Sequence, residues 1–301
     1  MLSEISLRVL FLIAMAGVGW GAGAYLKITA KPIATLLIYV VSPCVVFVSI
    51  LQSPADWTYL GYSFGALLTS SVAAGLAYCI GKLWFEDARL NLFAFMAGTG
   101  NTGYFALPIV LAMFNQAQVA IAILIIVGVN LYEFTVGYFL TSRSLMSGRE
   151  ALAKVFKMPI LYALLLAMLF KAADVDVGEV MLSGLSNFKG AYSVLGMMVI
   201  GIALSAHGFQ RINWRFLLAA LSWKHGLYPL LGIFTFSYCF NMPVDVLAVV
   251  ALMLATPMAG NTVVVASELG VYPNEVALSV MVSTALALIS VPLVVVWVST
   301  L

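Results

Sequence analysis

The chain has 301 residues, of which 63% are hydrophobic and only 9% charged, with a formal net charge of +2 and a mean hydropathy of +1.09. So few polar groups cannot cover a surface facing water, which excludes a soluble globule and makes lipid the solvent. The small charge, with no dense basic patch, excludes a nucleic-acid partner, and Cys44, Cys79 and Cys239 lie in apolar runs at no metal-binding or redox spacing.

A helix crosses the hydrocarbon layer with about 20 apolar residues. That ruler predicts an all-α polytopic membrane protein with ten transmembrane helices. In chain order they run Ser6 to Tyr25, Pro32 to Leu51, Thr58 to Trp84, Asn91 to Phe114 and Ala117 to Leu140, then Val155 to Ala172, Gly190 to Ala206, Trp214 to Phe240, Val244 to Ser267 and Asn274 to Ser299. Arg8 ahead of an apolar run, with Ala22-Gly23-Ala24 behind it, also has the form of a cleavable signal. Losing that span would leave the second half with a helix that the first half lacks. Ahead of the seventh span, Gly178 to Phe188 reads as a segment entering at an angle. Trp57, Tyr59, Trp84 and Trp297 fall near span ends, where amphipathic rings anchor.

The tripeptide Gly-Asn-Thr occurs twice, as Gly100-Asn101-Thr102 and Gly260-Asn261-Thr262. A shift of 160 positions superposes the two copies and places spans two to five onto seven to ten. Five spans per half is an odd number, so the second half enters from the opposite side, a 5+5 inverted repeat. The expected division is residues 1–140, a short cytoplasmic connection 141–157, and residues 158–301. Lys27, Lys31, Lys82, Arg89, Arg143, Arg149, Lys154, Lys157, Arg211 and Arg215 all fall on one side, against Arg8, Lys171 and Lys189 on the other. By the excess of basic residues on the cytoplasmic side, both termini face away from the cytoplasm of a cell membrane.

Within the fourth span, Gly98, Gly100 and Gly103 weaken the helix, and Pro108 lacks an amide hydrogen and clashes with the turn before it. The helix is expected to open there, and the ninth span repeats the device with Thr256-Pro257 ahead of Gly260-Asn261-Thr262. Backbone opened in oil needs a cavity, a ligand or polar side chains beside it. Crossing near the midplane, half-helix amino ends favour an anion and carbonyl ends a cation. Gly98 and Gly103 serve close helix packing equally well. Asn101 and Asn261, whose amides need partners in lipid, are read as lining a cavity.

The charged residues inside spans are the remaining candidates. Glu133 lies one turn from Asn130 on the fifth helix, a pair suited to exchanging protons or holding Na⁺, or to orienting the bundle. Lys224 and His225 stand midway along the eighth span ahead of Pro229. Lys224 needs a carboxylate, backbone carbonyls or a substrate anion as its partner, Glu133 being the expected internal one, and His225 is a candidate proton relay. Glu268 and Glu275 read as solvated span ends.

These features resemble the auxin efflux carrier family, which includes plant PIN-type carriers and bacterial permeases for malate or malonate. Asn101-Thr102 followed by Pro108 is similar to the family's fourth-helix crossover. Ala255-Thr256-Pro257 with Ala266-Ser267-Glu268 and Tyr272-Pro273 is similar to its ninth-helix region, and Lys224 upstream of Pro229 to its eighth. Where plant members carry a second crossover proline this chain has Thr262, and their long cytoplasmic loop is absent. The resemblance implies a fold like that of bile-acid and sodium symporters, a scaffold of helices 1, 2, 6 and 7 that dimerises, and a transport domain of helices 3–5 and 8–10.

The expected function is a secondary transporter of small organic anions, such as malate, malonate or auxin-like acids, working by elevator-type alternating access. Gly100, Asn101, Thr102, Gly260, Asn261 and Thr262 would bind the substrate. Gly103, Pro108 and Pro257 would shape the crossover, and Asn130, Glu133, Lys224 and His225 would couple transport to H⁺ or Na⁺. A sodium-coupled symporter of the bile-acid type is the rival. A channel or an intramembrane enzyme fits less well, since no metal-binding pair of histidines and no nucleophile with its base is present. No cofactor is expected. The expected partners are the anion, the bilayer and a second copy of the chain.

Overall fold

Oil offers a backbone no hydrogen-bonding partner, so a chain of this composition satisfies its amides within helices. The computed structural model describes residues 2–52, 60–206, 212–239 and 242–298, and among them every regular element is helical. The expected anchors Trp57 and Tyr59, and the basic residue Arg211, lie outside the described residues; Trp84 and Trp297 are exposed.

The first half comprises α1 (Leu2–Leu26), α2 (Ala30–Leu36), α3 (Ser42–Gln52), α4 (Leu60–Gly81), α5 (Ala88–Ala97), α6 (Leu107–Met113), α7 (Gln116–Tyr132) and α8 (Tyr138–Arg143). The rest comprises α9 (Gly148–Phe156), α10 (Pro159–Ala172), α11 (Glu179–Ser205), α12 (Trp214–Ser222), α13 (Tyr228–Phe234), α14 (Val244–Ala255), α15 (Gly260–Leu269) and α16 (Pro273–Val298). Five stretches, Ala30–Gln52, Leu60–Gly81, Gln116–Arg143, Glu179–Ser205 and Pro273–Trp297, are long and apolar enough to cross a bilayer. Two bent pairs, Gly148–Phe156 with Pro159–Ala172 at 41° and Val246–Ala255 with Gly260–Leu269 at 48°, raise the number to seven. The expected cytoplasmic connection is itself largely helical. Ser147 caps α9 by accepting from the Glu150 amide, and the Glu150 carboxylate accepts from the Ser147 amide in return.

Three prolines are absorbed by wide π turns. Leu37–Val41, Thr102–Ala106 and Trp223–Leu227 each end two residues before a proline, namely Pro43, Pro108 and Pro229. The Ser42, Leu107 and Tyr228 amides reach back five residues, to Leu37, Thr102 and Trp223 carbonyls. The widened turn makes room for the pyrrolidine ring and for its missing donor. This corrects the role expected of Pro108. It sits at the start of α6, inside a helical stretch that resumed at Thr102, and the chain opens upstream of it. Gly103 likewise belongs to the π turn after the opening.

The seventh span also differs from expectation. α11 is one helix from Glu179, because nothing between it and Ser205 forces a break and an isolated glycine costs only about 1 kcal/mol. It packs closely along α1. A side chain on Gly201 would meet the Ala16 carbonyl and lie 2.6 Å from the Trp20 amide, and one on Gly19 would collide with backbone at Met198. At one end of the bundle Arg89 and Glu275 together tie three helices. Arg89 pairs with Asp87 at the start of α5 and, at 2.6 and 2.9 Å, with both oxygens of Glu275 on α16. Asn213, at the start of α12, donates to the same carboxylate at 3.4 Å, so Glu275 is an ion-paired clamp and not the solvated end expected of it.

Because the atoms facing Gly201 are backbone and cannot swing aside, Gly201→Ala is expected to destabilise the protein by about 1–3 kcal/mol. Gly17→Ala, with nothing within 4 Å, should leave stability unchanged or slightly raised. Thermal unfolding of the two purified variants in detergent compares them directly.

Candidate functional site

α5 ends at Ala97, and the chain runs open through residues 98–101 before the π turn that starts at Thr102. α14 ends at Ala255, and residues 256–259 are open before α15. The two open stretches touch: the Asn101 amide donates to the Pro257 carbonyl at 2.8 Å. Each opening therefore supplies a backbone partner that the other lost.

The carbonyl ends are sealed by side chains. Thr99 Oγ1 donates to the Met96 carbonyl at 2.9 Å, and Thr256 Oγ1 repeats this on Met253 at 2.7 Å. The Tyr132 hydroxyl lies between the Ala94 and Phe95 carbonyls, at 3.3 and 2.9 Å. Lys224 Nζ donates to the Thr99 carbonyl at 2.8 Å, and lies 4.3 Å from the centre of the Tyr228 ring. A lysine at the carboxyl end of a half-helix is the favoured sense of the helix dipole. The glycines make this closeness possible. A side chain on Gly100 would lie 2.8 Å from Thr256 Oγ1 and 3.0 Å from Lys224 Nζ, and one on Gly98 would strike the Ser70 carbonyl and the Tyr132 ring.

The two Gly-Asn-Thr copies do not hold equivalent places. Asn101 precedes the resumed helix with φ −73° and ψ 58°, whereas Asn261 is the second residue of α15. Equivalence runs instead through Thr99 and Thr256. The cause is Pro257, which holds Thr256 extended at φ −60° and ψ 152° and so starts the second opening earlier.

A second polar cluster stands at the amino end of α15. The Asn261 side-chain amide donates to Glu133 Oε2 and to the Tyr192 hydroxyl of α11, which donates to Asn130 Oδ1 at 3.5 Å. Glu133 is 1% exposed, and its Oε1 has no hydrogen-bond partner among the described residues. The expected pair of Lys224 with Glu133 is not formed. Among the described residues the ion pairs are those of Arg89, and Lys224 is turned to the Thr99 carbonyl while Glu133 takes Asn261. Each thus matches a half-helix end of the sense its end group favours.

His225 is half-buried and supports the second opening indirectly. Its Nε2 lies 2.9 Å from Ser283 Oγ, which accepts from the Met258 amide at 2.9 Å. Thr262 Oγ1 donates to the Ala259 carbonyl at 2.7 Å. Asn101 and Thr102, by contrast, are 2% and 3% exposed, and Asn101 Nδ2 and Thr102 Oγ1 have no partner among the described residues. Thr102 lines a narrow, water-sized cavity with Thr69, Tyr228, Ile125, Val129 and Met253. The Thr69 hydroxyl is also buried without a partner. Of the residues expected to bind substrate, only Thr102 reaches this cavity; Asn261 and Thr262 are engaged in holding the second break.

Sequence reasoning missed Thr69, Tyr132, Tyr192 and Ser283. Ser283 carried a usable signal, since Ser279, Ser283 and Thr284 are polar residues in an apolar span and all are fully buried. Tyr192 carried none. Tyrosines are common near span ends, and its partners lie on other helices.

A family profile described as a membrane transport protein matches residues 4–295 of the chain. None of the curated proteins compared with the chain matches it.

Removing the hydroxyl that receives the Met258 amide orphans a buried donor, while removing the imidazole leaves that donor satisfied. Ser283→Ala is therefore expected to cost about 1–3 kcal/mol and His225→Phe less, as read by thermal unfolding of the purified variants.

Proposed function

Since the chain belongs to the membrane transport protein family, the auxin efflux carrier family, we propose that it is a secondary transporter of a small organic anion whose carboxylate is bound at the first opening. The observation that carries this reading is the pair of buried donors, Asn101 Nδ2 and Thr102 Oγ1, without partners among the described residues. Each such group in a dry interior costs about 1–3 kcal/mol. A carboxylate brings acceptors and no donors, the complement that such groups require. Thr102 stands where the helix resumes, an end whose dipole favours negative charge. The walls beyond it, Ile125, Val129 and Met253, suit the carbon skeleton of such an acid.

In this proposal the broken stretches α5 to α6 and α14 to α15 are two of ten crossings in a 5+5 inverted repeat, with both termini on the non-cytoplasmic side of a cell membrane. Helices α4 to α8 and α12 to α16 form the moving part; α1 to α3, α10 and α11 form the scaffold and the dimer contact. The cavity is too small for an organic acid in this state, so loading requires the moving part to shift. Asn261, Thr262, Lys224 and His225 hold the crossover open, and Gly100 and Pro257 give it its shape. No bond is made or broken.

A second reading, sodium-coupled symport, draws on Glu133. Its unpartnered Oε1 stands in a cluster with Asn130 and Tyr192, oxygen ligands of the type a small hard cation takes. A proton on the same carboxyl would serve coupling as well, and the ion gradient decides between them.

Uptake into proteoliposomes tests the proposal with malate, malonate, indole-3-acetate and a bile acid, each with and without a sodium gradient. Saturable uptake of at least one acid is expected, falling about ten-fold or more in Asn101→Ala and in Thr102→Val. Undiminished transport in both variants would remove the first opening from the binding site.

A further inference from the structure

The hydroxyl of Tyr192 joins parts of the bundle that the transporter reading sets in relative motion. It rises from α11, yet its hydrogen bonds go to Asn261 on α15 and Asn130 on α7. The ring and both partners are buried, with Tyr192 4%, Asn261 3% and Asn130 6% exposed. The same Asn261 amide reaches Glu133. α11 packs against α15, and the other buried residues of α11, Gly196, Met197, Val199 and Ile200 among them, are apolar or small. Apolar faces in a membrane slide with little preference for one register, whereas a directional hydrogen bond in a dry interface does not.

We infer that Tyr192 is a positioning residue of the transport cycle: it orients the Asn261 amide toward Glu133 and, by the same bond, fixes the register at which the second broken helix parks against α11. The inference rests on the proposal that α11 is static while α15 moves. Displacement of α15 by a single turn, about 5.4 Å, would carry Asn261 out of reach of the hydroxyl. The contact to Asn130 would be lost with it, because α7 belongs to the same moving part in that proposal. Losing one net hydrogen bond shifts a two-state balance by about five-fold.

The test is side-specific labelling in membrane vesicles, which needs no known substrate. In a background with Cys44, Cys79 and Cys239 replaced, Ile125→Cys on the cavity wall reports access. A membrane-impermeant maleimide is added to right-side-out and to inside-out vesicles, and the ratio of the two rates is the readout. Tyr192→Phe is expected to change that ratio by about five-fold, Asn261→Ala to change it in the same direction, and the double variant to add nothing further. A purely structural role for the hydroxyl would lower the unfolding temperature without moving the ratio, and that result overturns the inference. An unchanged ratio in Tyr192→Phe beside a shifted one in Asn261→Ala also overturns it, while leaving the transporter reading intact. Labelling from one face only, in every variant, removes alternating access itself and the inference with it.

Discussion

A helix opened inside a bilayer exposes amides and carbonyls that no water can reach, and the fold is arranged around answering that debt. The answer is reciprocal: the Asn101 amide of one opening takes the Pro257 carbonyl of the other. Neither break is tolerable alone. Thr99, Thr256, Tyr132 and Lys224 then close the carbonyl ends, and Ser283 takes the Met258 amide. Among the groups left unanswered are the Asn101 side-chain nitrogen and the Thr102 and Thr69 hydroxyls near the first opening, and Glu133 Oε1 beside the second.

The two groups that would be most costly in oil, Lys224 and Glu133, are handled without bringing them together. Each is set against a half-helix end, the lysine beyond the carboxyl end of α5 on the Thr99 carbonyl and the Glu133 carboxylate on the Asn261 side chain in the first turn of α15. A direct pair would have satisfied both at once but left the helix ends bare. The arrangement also divides the polar interior into a crossing layer and an α15 layer, joined through the second broken helix, so that a change in one alters the backbone that supports the other.

Much of this was legible in the residues. Composition and span length required helices in lipid, and the repeated Gly-Asn-Thr with its glycines pointed to both openings. The family resemblance is upheld across residues 4–295. The details that escaped were those decided between helices. Pro108 reads as a breaker in one dimension, but a π turn at Thr102–Ala106 absorbs it. Superposing the tripeptides residue for residue does not align the two openings, because Pro257 starts the second one earlier. Lys224 and Glu133 were paired because opposite charges attract, whereas nearer backbone and amide partners were available in three dimensions. Tyr192 was invisible because its meaning lies wholly in its partners. The residues named the donors Asn101 and Thr102 on which the proposed anion site rests, but not Thr69 or the apolar wall beside Thr102.

The contact between the two open stretches can be tested directly by cross-linking. With the native cysteines replaced, Gly100→Cys and Thr256→Cys place a sulfur on each strand of the crossing, where a side-chain carbon at position 100 lies 2.8 Å from the Thr256 hydroxyl oxygen. Mild oxidation in membranes is expected to join positions 100 and 256 within one chain, seen as a linked peptide by mass spectrometry and reversed by reductant. Two cysteines that stay free, and are alkylated independently under the same conditions, would show that the openings do not meet and would contradict the crossing on which the site depends.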